Sequence, residues 1–234
     1  MTGSLLVSAL VTAIFAVVAF ALKGVTTSGA VAGAVISFTL YAAVGPGAFA
    51  ALISVFVLTW IATRFGYSRK QTLGTAERGD GRNAFQVLAN LAVAGASAAL
   101  YRALYGHPMF LLGMSAALAE AAADTVSSEL GQACGTRARL ITTFEEVPAG
   151  TDGGVTLIGT LTGLLAAAIV AAVCAVTRVI PYRWVPVAVL AAFLGTLADS
   201  LLGALLERRG YLNNDAVNFA STAVAAALSL LLRV

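Results

Sequence analysis

Long stretches without a charged residue are the feature that most constrains how this chain can fold. The longest, Gly24 to Thr63, contains no Asp, Glu, Lys, Arg or His and is interrupted near its middle by Gly45-Pro46-Gly47. A helix of ~20 apolar residues crosses the ~30 Å hydrocarbon core of a bilayer. A soluble domain is typically about one quarter charged. Because 11% of this chain is charged and 59% is hydrophobic, a soluble globular fold is excluded.

The uncharged runs predict an all-α fold, a polytopic transmembrane helix bundle of about eight helices. Backbone groups in lipid must be satisfied within their own segment, which favours helices, and long uncharged runs lack the alternation of a membrane barrel. The polar stretches at 64–83 and 131–155 are only loop-sized, so residues 1–234 are predicted to form a single integral-membrane domain. The predicted helices lie at about 4 to 22, 29 to 45, 48 to 64, 84 to 104, 109 to 130, 156 to 177, 184 to 207 and 216 to 232.

The distribution of cations predicts the orientation in the membrane. With the N-terminus outside, the cytoplasmic loops hold ten of the fourteen Lys and Arg residues, a clear positive-inside bias. This predicts a protein of the cytoplasmic membrane whose loops at 64–83, 131–155 and 207–215 face the cytoplasm. The net charge of +3 then follows from topology, and no nucleic-acid partner is expected. The ten are Lys23, Arg64, Arg69, Lys70, Arg78, Arg82, Arg137, Arg139, Arg208 and Arg209, against Arg102, Arg178, Arg183 and Arg233 outside.

Carboxylates at membrane depth indicate where chemistry could occur. On the fifth predicted helix, Glu120 and Asp124 are four residues apart and share a face, and Glu129 follows near the helix end. An ionisable group at the bilayer centre costs ~2.5 to 3.5 kcal/mol, so such a group is a functional-site hypothesis by default. The alternative is that Asp124 and Glu129 lie at the interface and end a helix. The sequence leaves open whether Glu120 is functional or structural.

A second acidic helix end resembles the first. Ala123-Asp124-Thr125 is matched by Ala198-Asp199-Ser200, which by the predicted topology ends on the same side of the membrane. Mg²⁺ takes one or two carboxylates together with phosphate oxygens and waters. The pair therefore predicts a shared Mg²⁺ site, although chance similarity between apolar helices is an alternative. The two cysteines and one histidine make no zinc pattern, so a metal is expected to have oxygen ligands.

A glycine-rich loop at 147–156 opens directly into the sixth predicted helix. Glycines let backbone N–H groups approach a phosphate, and a helix N-terminus favours negative charge. No Walker motif is present, and a flexible turn is the alternative interpretation. The residues predicted to bind phosphate here are Gly150, Thr151, Gly153 and Gly154.

Cations and amides in the other polar segments complete the candidate phosphate site. Lys70 and Arg82 could neutralise phosphate charge, although positive-inside bias alone would also place cations there. Asn90 is a polar residue within a predicted span. Asn214 and Asp215 precede the last predicted helix, where helix capping is the simpler interpretation.

Several of these blocks, in this order, carry a resemblance to a known family. They resemble the signature blocks of the integral-membrane family that includes plant phytyl-phosphate kinase and animal transmembrane protein 19. The arrangement of Asp124, Gly131, Gly135, Thr143 and the Gly150 loop is also similar to that of CTP-dependent polyprenol kinases. The blocks are Lys70, 81–83, 86–90, 123–125, 128–131, 141–143, 147–148, 150–151, 153–155, 214–215 and 217–219.

The resemblance implies phosphoryl transfer from a nucleoside triphosphate, CTP in the family, to an isoprenoid monophosphate such as phytyl or geranylgeranyl phosphate. It implies that the acidic block binds Mg²⁺ and nucleotide phosphates, and that the glycine loop surrounds the triphosphate. The candidate catalytic residues are Asp124, Lys70 and Arg82, and the candidate metal ligands are Asp124, Glu129, Asp199 and Asp215. The candidate nucleotide and phosphate contacts are the four loop residues with Thr143, Asn90, Asn214 and Asn218.

Two other functions fit the same residues. A transporter or flippase for a lipid or a phosphorylated solute would use intramembrane polar groups without turnover. A CTP-using cytidylyltransferase would release pyrophosphate instead of a nucleoside diphosphate. The sequence leaves open the nucleotide, the length of the prenyl chain and whether the chain forms a homo-oligomer.

Overall fold

The computed structural model describes residues 2–77, 79–135 and 137–232. Arg78 and Arg233, which entered the charge count above, lie outside the described residues. The prediction of an all-α helical bundle is confirmed. A 3₁₀ turn, Tyr182–Trp184, precedes α8, and a π-helical turn, Gly203–Glu207, continues it. The helices are α1 (Thr2–Ala21), α2 (Thr27–Ala43), α3 (Pro46–Arg64), α4 (Tyr67–Leu73), α5 (Ala84–Ala103), α6 (Met109–Cys134), α7 (Leu157–Val176), α8 (Val185–Leu202) and α9 (Asn214–Leu231).

Length and composition suit several of these helices to a membrane. Of the helices in the described part of the chain, five are long and apolar enough to span a bilayer, and two apolar helices are shorter, at Leu5–Ala21 and Thr27–Ala43. The five are Pro46–Arg64, Ala84–Ala103, Met109–Cys134, Leu157–Val176 and Tyr182–Glu207. The orientation of the bundle in the membrane stays a prediction.

Two structural elements were not predicted. The seven-residue α4 lies between Gly66 and Gly74, whose left-handed conformations start and end it. The polar stretch after α6 forms a small antiparallel sheet of β1 (Arg137–Leu140), β2 (Glu146–Pro148) and β3 (Gly154–Val155), in the order β2-β1-β3. Arg137 donates a 2.6 Å hydrogen bond to Glu146 across this sheet, which lowers the pKa of that exposed carboxyl. Within the predicted loop at 131–155, residues 137–155 therefore include a small sheet.

Helix α6 forms the centre of the bundle and packs against α3, α5, α7, α8 and α9. Most of its residues are buried, and many of these buried residues are alanines. Helix α7 approaches α6 through Gly159 and Gly163: a Cβ at these positions would lie 2.6 Å from the Ser127 carbonyl oxygen and 2.8 Å from that of Ala123. This contact between small residues is typical of membrane helix pairs, and it holds the first turns of α7 beside Asp124.

Candidate functional site

A polar cavity of about 270 Å³ lies at one end of the bundle. The second half of α6, the residue before α7, the end of α8 and the start of α9 meet there, together with Thr75, Glu77, Arg82 and the segment at 150–156. The loops at 64–83, 131–155 and 207–215 thus all reach one end. The lining comprises Thr75, Glu77, Arg82, Asp124, Thr125, Ser127, Ser128, Glu129, Gly131, Gln132, Ala138, Gly150, Thr151, Asp152, Gly153, Gly154, Val155, Thr156, Thr196, Asp199, Ser200, Gly203, Glu207, Asn214 and Asn218.

Carboxylates of α6, α8, the π-helical turn and the glycine loop face this polar cavity, as does that of Glu77. Asp124 of α6 is close enough to interact electrostatically with Asp199 of α8 and with Glu207 of the π-helical turn, and Glu207 in turn interacts with Asp152 of the glycine loop. The Oδ2 atom of Asp199 is buried and has no hydrogen-bond partner. Carboxylates so close to one another and to low-dielectric protein require a cation or protons to offset their repulsion. The cluster therefore suits a bound cation.

The residues present fit Mg²⁺ bound together with phosphate. Among the residues that the structure describes, no group of three or more His, Cys, Asp or Glu side chains is arranged to hold a metal ion. Mg²⁺ is commonly held by one or two carboxylates and completes its shell with waters and substrate phosphates. Asp124 and Asp199, with the unpartnered Oδ2, supply such a pair.

Glu120 lies one helical turn deeper than Asp124. Its side chain is 1% exposed, and its Oε1 atom has no hydrogen-bond partner. The absence of a side chain at Gly195 of α8 makes room for it, because a Cβ there would lie 2.7 Å from the Cγ of Glu120. Glu120 interacts electrostatically with Asp124 and Asp199 without lining the polar cavity.

The glycine loop owes its shape to two positive backbone angles. Gly150 has φ +90° and Gly153 has φ +74°, conformations that L side chains rarely adopt. Gly153 also packs against the backbone of Ala204 in the π-helical turn, so a side chain has no space there. The loop is thereby fixed against the end of α8, on the wall of the polar cavity.

Lys70 lies behind the polar cavity instead of lining it. The side chain is fully buried, and its Nζ donates to Glu129 Oε2 at 2.5 Å and to the carbonyl oxygens of Ala62 and Thr63 at 3.1 and 2.7 Å. The three N–H donors of the ammonium group are thus all used. Lys70 closes the end of α3 and ties α4 to α6, and it neutralises the carboxylate of Glu129, which itself lines the cavity.

Arg82 occupies the boundary between the polar cavity and a second one. Its backbone pairs with the α1–α2 turn, as its N–H donates to the Gly24 carbonyl oxygen at 3.1 Å and its carbonyl oxygen accepts from Thr26 N–H at 3.0 Å. Its side chain reaches α6, where Nη2 donates to Thr125 Oγ1 at 3.3 Å. Arg82 and Glu77 line both cavities.

The second cavity, here called the apolar cavity, has a volume of about 460 Å³ and lies mainly between α1, α2, α3 and α5. Phe15, Phe56 and Trp60 line it, and no atom lies within 4 Å of where a Cβ of Gly33 would stand. Asn90, predicted to contact nucleotide, is placed here, with its amide donating to the Gln86 carbonyl oxygen at 2.9 Å. The structure therefore separates Asn90 from the other amides of the candidate site.

Most of the predicted site residues line the polar cavity, and four do not. Lys70 and Asn90 are placed as described above. Thr143 lies in the exposed tip between β1 and β2, where its hydroxyl lies 3.3 Å from a Glu145 carboxylate oxygen. Asp215 is in the first turn of α9, which Asn213 caps, so the capping predicted for Asn214 or Asp215 is made by their neighbour. The residues at the polar cavity are Arg82, Asp124, Glu129, Gly150, Thr151, Gly153, Gly154, Asp199, Asn214 and Asn218.

Among the lining residues absent from the sequence-based site are Thr75, Gln132, Asp152 and Glu207. Gln132 follows Asp124 at two turns of α6, so helical spacing could have found it, and Asp152 stands between the loop residues that were chosen. The position of Glu207 in the cavity wall depends on the π-helical turn, and that of Thr75 depends on the fold of α4. Neither feature has a sequence signal. The buried Oε1 of Gln132 and Oγ1 of Thr75 have no hydrogen-bond partner, which leaves both free to bind a ligand.

Comparison with known proteins identifies the relatives of this chain. Residues 10–226 match the family model described as integral membrane protein DUF92. An uncharacterized membrane protein of Methanocaldococcus jannaschii is 34% identical over 97% of this chain and 94% of its own length. Protein VTE6, chloroplastic, of Arabidopsis thaliana is 32% identical over 90% of this chain and 66% of its own length, and protein PGR of the same plant is 30% identical over 88% and 80%. No solved structure matches the chain. The chain therefore belongs to the DUF92 family of integral membrane proteins.

Proposed function

We propose that this protein is a CTP-dependent kinase that converts an isoprenoid monophosphate, phytyl or geranylgeranyl phosphate, to the diphosphate at the cytoplasmic face of the cytoplasmic membrane. The polar cavity binds the nucleotide triphosphate, and the apolar cavity binds the prenyl chain. The choice of CTP rests on the family resemblance in the sequence, and the choice of a prenyl phosphate rests on that resemblance and on the relationship to protein VTE6.

The observation that carries the proposal is the junction of the two cavities. One cavity is lined by carboxylates, hydroxyls and glycines, the other by aromatic and aliphatic side chains, and Arg82 and Glu77 belong to both. A bisubstrate reaction between a water-soluble phosphate donor and a lipid acceptor requires this arrangement. The reacting phosphates then meet at Arg82, whose guanidinium can stabilise the charge that phosphoryl transfer spreads over the oxygens.

The chemical step uses mainly positioning and charge. An oxygen of the prenyl phosphate forms a bond to the terminal phosphorus of the nucleotide, the bond from that phosphorus to the bridging oxygen breaks, and the electron pair leaves with the nucleoside diphosphate. Asp124 and Asp199 would hold Mg²⁺, which when bound neutralises phosphate charge. The loop at 150–154 and Asn214 line the same wall and orient the donor, while Arg82 aligns donor and acceptor.

Detergent-purified protein tests the proposal directly. Each nucleoside triphosphate is incubated with Mg²⁺ and phytyl or geranylgeranyl phosphate, and the products are identified by mass. Prenyl diphosphate with a nucleoside diphosphate is the expected result, and release of pyrophosphate with a cytidylylated lipid would instead identify a cytidylyltransferase. If no nucleotide gives a product while the protein moves labelled prenyl phosphate across liposome membranes, the kinase proposal is wrong and the chain is a transporter.

A further inference from the structure

Three cations line the apolar cavity and form no salt bridge in the described part of the chain, although Arg82 also interacts electrostatically with Asp124 of the polar cavity. Lys23 follows α1, Arg64 ends α3 and Arg82 precedes α5, and all three line this cavity. In the described part of the chain, ion pairs within 4.0 Å involve Lys70, Arg137 and Arg139, and none of these three. Glu77 also faces the cavity, but its Oε1 accepts a 2.8 Å hydrogen bond from Gln86. The lining of this mainly apolar cavity thus carries an excess of positive charge.

The α1–α2 turn holds these cations together. The carbonyl oxygen of Leu22 accepts from Arg64 Nη2 at 2.5 Å and from Trp60 Nε1 at 3.1 Å, and the guanidinium of Arg64 lies 4.4 Å from the centre of the Trp60 ring. Two residues further along the chain, the carbonyl oxygen of Gly24 accepts a hydrogen bond from the N–H of Arg82. Lys23, between them, has a left-handed backbone with φ +52°. Positive-inside bias accounts for cations on this side of the membrane, but it does not require them to converge on one cavity.

A ligand for this site needs an anionic head and an apolar body. Arg side chains recognise phosphate oxygens by charge-assisted hydrogen bonds, and apolar pockets bury the remainder of a ligand. We infer that Lys23, Arg64 and Arg82 form the headgroup site for a phosphomonoester on an isoprenoid chain, and thereby select a phosphate acceptor over the corresponding alcohol. This inference rests on the proposed function for the identity of the chain and deepens it. Arg82 faces the polar cavity as well, so the other two cations hold the lipid phosphate from the side away from the nucleotide.

Ligand binding without nucleotide tests the headgroup site independently of turnover. The purified full chain in detergent is titrated with geranylgeranyl phosphate, with geranylgeraniol and with phosphatidic acid, and the shift in thermal midpoint gives each affinity. We expect the prenyl phosphate to bind at least about tenfold more tightly than the alcohol, with Lys23→Gln and Arg64→Gln each weakening phosphate binding about tenfold. Arg209→Gln, an exposed cation that lines neither cavity, is the matched control and should leave the affinity unchanged.

Each contrary result has a definite meaning. Equal binding of the alcohol, or unchanged affinity in Lys23→Gln, would overturn the headgroup site. Phosphatidic acid binding as tightly as prenyl phosphate would assign the site to membrane phospholipid and overturn the isoprenoid assignment. Arg64 also donates to the Leu22 carbonyl oxygen, so Arg64→Gln could act through the fold. Arg64→Lys keeps the positive charge and loses the guanidinium. If charge recognises the headgroup, the Arg64→Lys protein should bind prenyl phosphate more tightly than the Arg64→Gln protein.

Turnover separates this inference from the proposed function. In an active enzyme, Lys23→Gln should raise the KM for prenyl phosphate more than the KM for the nucleotide, whereas a general folding defect would change both. If the protein binds prenyl phosphate in the expected pattern but gives no diphosphate with any nucleotide, the kinase proposal fails and the headgroup site stands. If it phosphorylates the alcohol and the phosphate equally well, the kinase class stands and the headgroup site fails.

Discussion

The two cavities of this protein are built from different halves of the chain and by different means. The apolar cavity is enclosed by the sides of α1, α2, α3 and α5, so regular helices packed side by side are sufficient to form it. The polar cavity is made from the second half of α6, from the ends of its neighbouring helices, a glycine loop and a π-helical turn. Backbone N–H and C=O groups are free to bind ligands where helices end or loosen. A bundle can therefore hold a lipid chain along its length, but it can do phosphate chemistry only at its ends.

The largest expected effect comes from the contact between these halves. Lys70→Met removes the cation that joins the end of α3 to Glu129 of α6, and it leaves a buried carboxylate and two carbonyl oxygens without their donor. We expect a loss of about 3–5 kcal/mol in the free energy of unfolding, measured by denaturant titration in detergent. The double variant Lys70→Met/Glu129→Leu should recover much of the loss. If it is as unstable as the single variant, the ion pair does not join the halves.

The second effect concerns the chemistry of the polar cavity. Asp124→Asn keeps the size of the side chain and removes its charge, so it should lower kcat about 10²- to 10³-fold with Mg²⁺ present, while binding of prenyl phosphate in the apolar cavity persists. The rate of diphosphate formation is the measurement. Asp80→Asn, at an exposed position that lines neither cavity, is the control. An Asp124→Asn enzyme with wild-type kcat would remove this carboxylate from the reaction.

The third effect distinguishes the apolar cavity from the polar one. Gly33 lines the apolar cavity and has open space where a Cβ would stand, so a larger side chain can start here, and Gly33→Phe is expected to occupy part of the cavity. We expect the KM for geranylgeranyl phosphate to rise about 10- to 100-fold, with a smaller effect on a short prenyl phosphate. Val31→Phe, at an exposed position on the same helix, should leave both KM values unchanged. Equal effects on long and short chains would show that the prenyl tail lies elsewhere.

The smallest effect tests how the glycine loop is held. Gly153 and Gly210 have nearly the same backbone angle, φ +74° and φ +73°. A Cβ at Gly153 would clash with Ala204, whereas a Cβ at Gly210 would have no atom within 4 Å. The left-handed backbone angle alone should cost alanine about 1–2 kcal/mol of stability at either position, and the contact with Ala204 adds to that cost at Gly153. Only Gly153→Ala should also raise the KM for the nucleotide, by about tenfold, because it displaces a wall of the polar cavity. A similar rise in Gly210→Ala would mean that backbone strain alone is responsible.

The sequence predicts the long helices well because each is a run of apolar residues between charges or turns. The predicted limits of 48 to 64 and 156 to 177 lie within two residues of α3 and α7. The seven residues of α4 and the two to four residues of each strand are too short to show a period. They depend instead on contacts made far along the chain, such as that of Lys70 with Glu129.

The candidate site also contains residues that a local sequence pattern predicts and residues whose position only the fold determines. The helix-end repeat of Asp124 and Asp199 was visible in the sequence because both residues follow a local pattern, and the structure places them in one cavity. No such signal distinguished the surroundings of Lys70 from those of Arg82, since in the sequence each is a cation in the same predicted loop. Only the fold determines that one is enclosed by carbonyl oxygens and the other lies between two cavities.

The position of Arg82 has a consequence for how the two substrates bind. Its backbone is held by the turn after α1, whereas its side chain contacts Thr125 on α6, so one residue belongs to both halves of the bundle. In the proposed kinase, a preference of the bound lipid phosphate for one placement of that guanidinium would also change the binding of the nucleotide. Thermodynamic linkage then requires reciprocity: prenyl phosphate should change the affinity for the nucleotide by the same factor as the nucleotide changes the affinity for prenyl phosphate. Substituting Arg82 with glutamine should bring that shared factor close to one.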